Sequence, residues 1–308
     1  MAINKYTRAA LKALSYPDFD IKKNYKAQRI MDRIMHPPIS MSFVMWDHRI
    51  TTADHDIPVR IFSPKIQMDD AVFVFFHGGG WVTGDINSYT MTCSLLAENT
   101  GRRVLSVDYR LAPEFPFPCA PEDCYIVTRE IFKNSSQLNI LPEKIILIGD
   151  SAGGNLAAAV SLMARDRGEF KIHRQILIYP ATNNDHTPSS QFDSIRENGE
   201  DYLLTSKKIC DYMDLYLQDK SQAYNPYFAP ILADDLSDQP DTLIITAEYD
   251  PLRDEGEAYG EKLRRFGADV EIHRMPDALH GYFSLPPRFV LVRKTYELIN
   301  SFISKPIH

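Results

Sequence analysis

The spacing of apolar residues changes period along the chain. Between Ile21 and Met35 the apolar side chains Tyr25, Ile30, Ile34 and Met35 recur near helical spacing, while Lys22, Lys23, Lys26 and Arg29 fall on the other side. That pattern predicts an amphipathic helix, closed by His36-Pro37-Pro38. An earlier helix is expected over roughly Ile3 to Leu14, ended by Ser15-Tyr16-Pro17. From Met41 to Ser63 two extended runs flank Thr52-Ala53-Asp54-His55-Asp56, which reads as an antiparallel hairpin. Then come short, unbroken apolar runs: Ala71–Phe76, Val104–Val107, Ile145–Ile148, Ile176–Tyr179 and Leu243–Thr246. Runs without alternation are covered on both faces, so they predict a mostly parallel sheet. Val270-Glu271-Ile272-His273 alternates, as expected near an edge. With the hairpin this makes eight candidate strands.

Helical stretches separate these strands, and three of them end at Gly101, Gly168 and Gly267. Glycine suits the left-handed position after a helix. Tyr259, Leu263 and Phe266 mark one helical face, and a last helix is expected from Phe289 to Ile303. The order is that of an α/β domain. One segment breaks the rhythm. Ala181 to about Pro230 holds no strand pattern, only a polar stretch (Thr182–Asn198) and a helical run carrying Leu204, Ile209, Tyr212, Met213 and Tyr216. An insertion this long in an α/β domain reads as a lid or another functional element.

Composition narrows the partners. The 308 residues carry a formal net charge of -7 and are 44% hydrophobic and 24% charged, within the ordinary globular range. A mildly acidic chain offers no electrostatic footprint for nucleic acid or for anionic membranes. Cys93, Cys119, Cys124 and Cys210 form no metal-type spacing and read as reduced thiols. The charged start MAINKYTRAALKALSYPDF contains no long apolar run, and no stretch reaches membrane-spanning length. A cytoplasmic location is therefore expected.

The chemistry gathers after the predicted strands. Gly149-Asp150-Ser151-Ala152-Gly153-Gly154 follows one strand and opens the Ala-rich helix Asn155–Val160. A G-x-S-x-G between strand and helix lifts the serine above the sheet on a tight turn, with glycines where neighbouring backbone passes close. The spacing fits neither a dinucleotide loop nor a phosphate-binding loop. His77-Gly78-Gly79-Gly80-Trp81 follows another strand. Glycines let backbone N–H groups crowd a substrate oxygen, so Gly78, Gly79 and Ala152 are the expected oxyanion donors. His77 is expected to hold this loop rather than act as a base. Serine needs a base, and His280, between the last strand and the last helix, is the candidate. Asp250 ends the strand before it and is the candidate acid, with Glu248 and Asp254 as rivals. Asp150 is expected to point away from the nucleophile and to be structural.

Together these motifs, with Asp250-Pro251-Leu252, His280-Gly281 and Asp108-Tyr109-Arg110-Leu111-Ala112-Pro113-Glu114, resemble the hormone-sensitive-lipase-like family of α/β-hydrolase esterases. The resemblance spans about residues 40 to 305. It implies an eight-stranded sheet with one antiparallel strand, in a catalytic domain over residues 41–308. It implies a helical cap made of residues 1 to about 40 and an insertion at about 182–225. It implies a Ser151-Asp250-His280 triad, short-chain acyl ester substrates, no metal or organic cofactor, and a homodimer through the last strand. Two other readings stay open: an amidase or deacetylase with the same triad, and a ligand-binding protein that kept the fold without turnover. Tyr25, Met31, Met35, Tyr202, Leu203, Leu204, Tyr212 and Tyr216 are candidates to shape an apolar pocket, although helical spacing suits plain packing as well.

Overall fold

The computed structural model describes residues 20–35 and 44–307. The helix expected over Ile3–Leu14 lies outside them. Helix α1 (Ile21–Met35) is followed by the hairpin β1 (Val44–Thr51) and β2 (Asp56–Ser63), in the predicted places. Then come β3 (Val72–Phe76), α2 (Thr90–Thr100), β4 (Arg103–Val107), α3 (Cys119–Lys133), β5 (Ile145–Asp150), α4 (Ala152–Arg167) and β6 (Arg174–Ile178). Helices α5 (Asp193–Asn198) and α6 (Ser206–Tyr216) lie in the strandless segment, ahead of β7 (Asp241–Tyr249), α7 (Arg253–Arg265), β8 (Val270–Leu279) and α8 (Val290–Ser304).

The eight strands form one sheet in the order β1-β2-β4-β3-β5-β6-β7-β8. Strand β2 is antiparallel to both its neighbours, and the pairs from β4 to β8 are parallel. Among the described residues β8 pairs only with β7, so it is the edge its alternation predicted. It runs past His273 to Leu279, with a register shift between Ala247 and Tyr249 that carries the chain over the end of β7.

The pleat of β3 explains its unbroken apolar sequence. Val72, Val74 and Phe76 join the core layer that holds residues of α3, α4 and α7 on one face, while Phe73 and Phe75 join the layer with α2 and α8 on the other. All five side chains are fully buried. Helix α4 is alanine-rich for a related reason. Every residue from Ala152 to Ala164 is buried, so no face is left for long polar side chains. Gly101 and Gly168 take left-handed φ angles of 66° and 64° after α2 and α4, as their positions predicted.

Helix α1 rests against α6 and is wired to the loop after β3. Arg29 donates from Nε to the Val82 carbonyl (2.7 Å) and from Nη2 to the Ala112 carbonyl (2.7 Å), and it pairs with Glu114. Arg33 meets Asp85 at 2.6 Å, and Lys22 meets Asp214 of α6 at 2.5 Å. Among the described residues no helix is long and apolar enough to cross a membrane.

Candidate active site

Strand β5 and helix α4 meet at Ser151, whose backbone sits at φ 56°, ψ −119°. A non-glycine residue held there costs roughly 1–3 kcal/mol, so the surroundings must enforce it. They do: the Ser151 N–H donates to the Ile178 carbonyl at 2.9 Å, and its own carbonyl accepts from Asn155 and Ala181. The flanking glycines are required by contact. A Cβ on Gly153 would sit inside the van der Waals shell of the Phe76 carbonyl, and one on Gly149 would strike the Gly153 carbonyl. Gly153→Ala would thus push α4 off β3. The expected cost is about 3 kcal/mol, at the upper end of core overpacking. A urea midpoint shift amounting to less than about 1 kcal/mol, which is within reach of a tolerated core change, would contradict this contact.

The turn aims Ser151 Oγ at His280, with Nε2 at 2.9 Å, and His280 Nδ1 lies 2.7 Å from Asp250 Oδ2. His280 follows the bulged end of β8, and Asp250 follows β7, so two neighbouring strand ends deliver the pair. Asp250 is fully buried, and its second oxygen accepts the Leu252 N–H at 2.9 Å. A carboxylate can only accept, so the proton of this contact belongs on His280 Nδ1. The Nε2 lone pair is then left facing Ser151.

The rivals to Asp250 are engaged elsewhere. Glu248 accepts the Asp277 N–H at 2.6 Å and so braces the approach to His280, while Asp254 pairs with Arg253 and accepts the Ser194 N–H. His77 is buried beneath the glycine loop, stacked on Tyr109 at 4.2 Å, with Nδ1 2.8 Å from the Gly78 carbonyl. Burial pulls its imidazole down to about 4, so the ring is neutral at ordinary pH and its Nδ1–H can donate to that carbonyl.

The glycine loop departs from expectation at one position. The Gly78 N–H points into the Asp150 carboxylate (2.9 Å to Oδ1) and also lies 3.1 Å from the Tyr89 hydroxyl. It is therefore not available to an oxyanion, and Gly78 does not line the cavity. Gly79, Gly80 and Ala152 do line it. Among the described residues their N–H groups have no protein acceptor. Three successive glycines look alike in sequence, so the presence of Gly80 at the cavity has no sequence signal of its own. The acceptor of the Gly78 N–H, Asp150, lies 72 residues away in the chain.

Above Ser151 lies an apolar cavity of about 690 Å³, counted out to its open mouth. Trp81, Ala181, Leu204, Ile209, Tyr212 and Leu252 form its walls. Of the pocket candidates, Leu204 and Tyr212 are there; a Cβ on Gly80 would strike the Tyr212 ring. The others serve different ends. Tyr216 stacks on Trp81 at 4.6 Å, Tyr202 packs on Tyr249, Tyr25 packs under the Arg29 guanidinium, and Met31 and Leu203 are exposed. The side chain of Met35 lies outside the described residues.

Comparison with known proteins agrees with this architecture. A family model described as the alpha/beta hydrolase fold matches residues 73–284. An arylesterase of Saccharolobus solfataricus is 37% identical over 241 residues, covering 78% of this chain and 77% of that protein. An ethyl acetate hydrolase of Pseudomonas putida is 32% identical over 246 residues, with 78% and 76% covered. Among solved structures, a hyperthermophilic esterase from the archaeon Pyrobaculum calidifontis superimposes with a TM-score of 0.84 at 35% identity, covering 98% of each chain.

Proposed function

Because this chain belongs to the hormone-sensitive-lipase-like family of α/β-hydrolases and is a carboxylic ester hydrolase, we propose that it cleaves short-chain acyl esters through Ser151, His280 and Asp250. The observation that carries this reading is the hydrogen-bonded row from Ser151 Oγ through His280 to buried Asp250, standing at the floor of an apolar cavity. Ser151 Oγ attacks the ester carbonyl carbon as its proton passes to His280 Nε2. The carbonyl oxygen becomes an oxyanion and takes N–H donors from Gly79, Gly80 and Ala152. His280 then protonates the leaving alcohol. Water, activated by the same imidazole, cleaves the acyl-enzyme and frees the acid.

The cap is assigned to α1 and the insertion at about 182–225. Leu204, Ile209 and Tyr212 of that insertion roof the cavity over the nucleophile. An apolar space above the serine suits a small acyl or alkyl group, and the relatives named for aryl esters and ethyl acetate point the same way. A p-nitrophenyl ester series of rising acyl length tests this. Turnover is expected to peak at about two to six carbons, a range that rests on fold-family analogy. Equal or better turnover of long-chain triglycerides would overturn it. Matched acetyl esters and acetamides separate this reading from an amidase, with the ester expected to react faster.

A further inference from the structure

We propose that Asp150 is a positioning residue: its carboxylate sets which N–H groups of the glycine loop face the scissile carbonyl. The inference rests on the acyl-transfer reading above. Asp150 precedes the nucleophile, yet its carboxylate is bonded to Gly78, Tyr89 and Tyr179 and takes no part in the row to His280. It is 2% exposed, and its hydrogen-bond partners are all uncharged. A buried carboxylate without a cation is costly, so a residue serving only to fill space would be better apolar. Burial pushes this carboxyl up to about 6, which still leaves it mostly ionised at neutral pH.

Its partners explain its presence. Oδ1 accepts the Gly78 N–H at 2.9 Å, and Oδ2 accepts the Tyr89 hydroxyl at 3.0 Å. The Tyr89 oxygen in turn lies 3.1 Å from the same Gly78 nitrogen, so the first peptide of the loop is held from two sides. A Cβ on Gly78 would meet Asp150 Oδ2 and Tyr89 Oη at 2.8 Å, so a side chain here would have to displace the two groups that hold the peptide. With that peptide fixed, the chain curls back through left-handed φ angles of 113° at Gly79 and 59° at Gly80, and the Gly79 carbonyl accepts from Val82 and Thr83. Gly79 and Gly80 then line the cavity with N–H groups that have no protein acceptor among the described residues. The Tyr179 hydroxyl reaches Asp150 Oδ2 at 3.4 Å, and its ring packs 4.7 Å from the His280 ring. One carboxylate thereby ties the oxyanion loop, the nucleophile turn and the wall behind the base into a single unit.

The test compares Asp150→Ala, Asp150→Asn and Tyr89→Phe for kcat, KM and affinity for a trifluoromethyl ketone. Ser151 Oγ adds to the ketone carbon, its proton passing to His280, and the resulting hemiketal oxyanion needs the same donors as the ester transition state. Asp150→Ala is expected to lose about 10²-fold in kcat, comparable to losing one oxyanion donor, with KM within about threefold. Ketone affinity should fall in parallel with kcat. Asp150→Asn keeps an acceptor for the Gly78 N–H and should retain kcat within about tenfold, a cost near one hydrogen bond. If Asp150→Ala does not fold, Tyr89→Phe decides: kcat should drop about three- to tenfold at unchanged KM. A lowered melting temperature with wild-type kcat and ketone affinity would overturn the proposal. So would an Asp150→Asn variant as impaired as Asp150→Ala, because charge rather than hydrogen-bond geometry would then be at work. Failure of the acyl-transfer reading would look different, as wild-type protein that neither turns over the ester nor binds the ketone, and it would take the proposal with it.

Discussion

Ser151→Ala is expected to reduce turnover of p-nitrophenyl acetate by about 10⁶-fold, the scale seen when the nucleophile of a serine hydrolase is removed. The effect is this large because serine, base and acid act as a unit. Without Oγ, His280 has no proton to take and no acyl-enzyme can form. The remaining acceleration would come only from the backbone donors at Gly79, Gly80 and Ala152 and from binding in the cavity. Stability should change little, since Ser151 Oγ makes one hydrogen bond, to His280, and the strained backbone is held by its own N–H and carbonyl. The pair of measurements is kcat against spontaneous hydrolysis, and the melting temperature. A variant retaining turnover within about tenfold of wild type, a change one hydrogen bond could account for, would exclude Ser151 as nucleophile.

Asp250→Asn should cost about 10⁴-fold in kcat, the loss found when a triad carboxylate becomes an amide without moving. Asp250 is buried, with one oxygen on His280 Nδ1 and the other on the Leu252 N–H. An asparagine fits the same space, keeping its carbonyl on Leu252 and turning its NH₂ toward Nδ1. The imidazole must then accept at Nδ1 and carry its proton on Nε2, facing Ser151 Oγ with a donor where a base is needed. The chemical step fails while the fold stays intact. Binding of an apolar product analogue should be near wild type. Glu248→Gln is the informative comparison, because Glu248 braces Asp277 and does not touch His280. Its effect is expected to be far smaller. A reversal of the two would mean that the acid had been misassigned.

The sheet was largely legible in sequence because burial on both faces leaves a simple mark, a run such as Val72–Phe76 with no polar interruption. The end of β8 was less legible. Arg274, Pro276 and Asp277 do not look like strand, and they are tolerated there because the edge is partly exposed and the register shifts against β7. That Ser151, Asp250 and His280 come within hydrogen-bond distance of one another could be anticipated from position, since each follows a predicted strand. Which glycines line the cavity could be read only in part. Sequence shows that glycines allow backbone to approach a substrate, but not that the Gly78 N–H is taken by a side chain distant in the chain, here Asp150. For the same reason helical spacing picked out Tyr212 and Tyr216 together, although one roofs the cavity and the other is spent stacking on Trp81. Period defines a face; it does not say what meets it. The buried pair of His186, in the insertion, and Glu255 of α7, 2.7 Å apart, left no sequence signal at all.

Covalent trapping tests the central claim most directly. The protein is treated with diethyl p-nitrophenyl phosphate, which phosphorylates an activated serine and releases p-nitrophenol, and it is then digested and mapped by mass spectrometry. The account predicts one diethylphosphoryl group per chain, on the peptide carrying Ser151, with activity lost in proportion to labelling and no labelling in His280→Ala. An adduct on another residue, or full loss of activity with Ser151 unmodified, would contradict it.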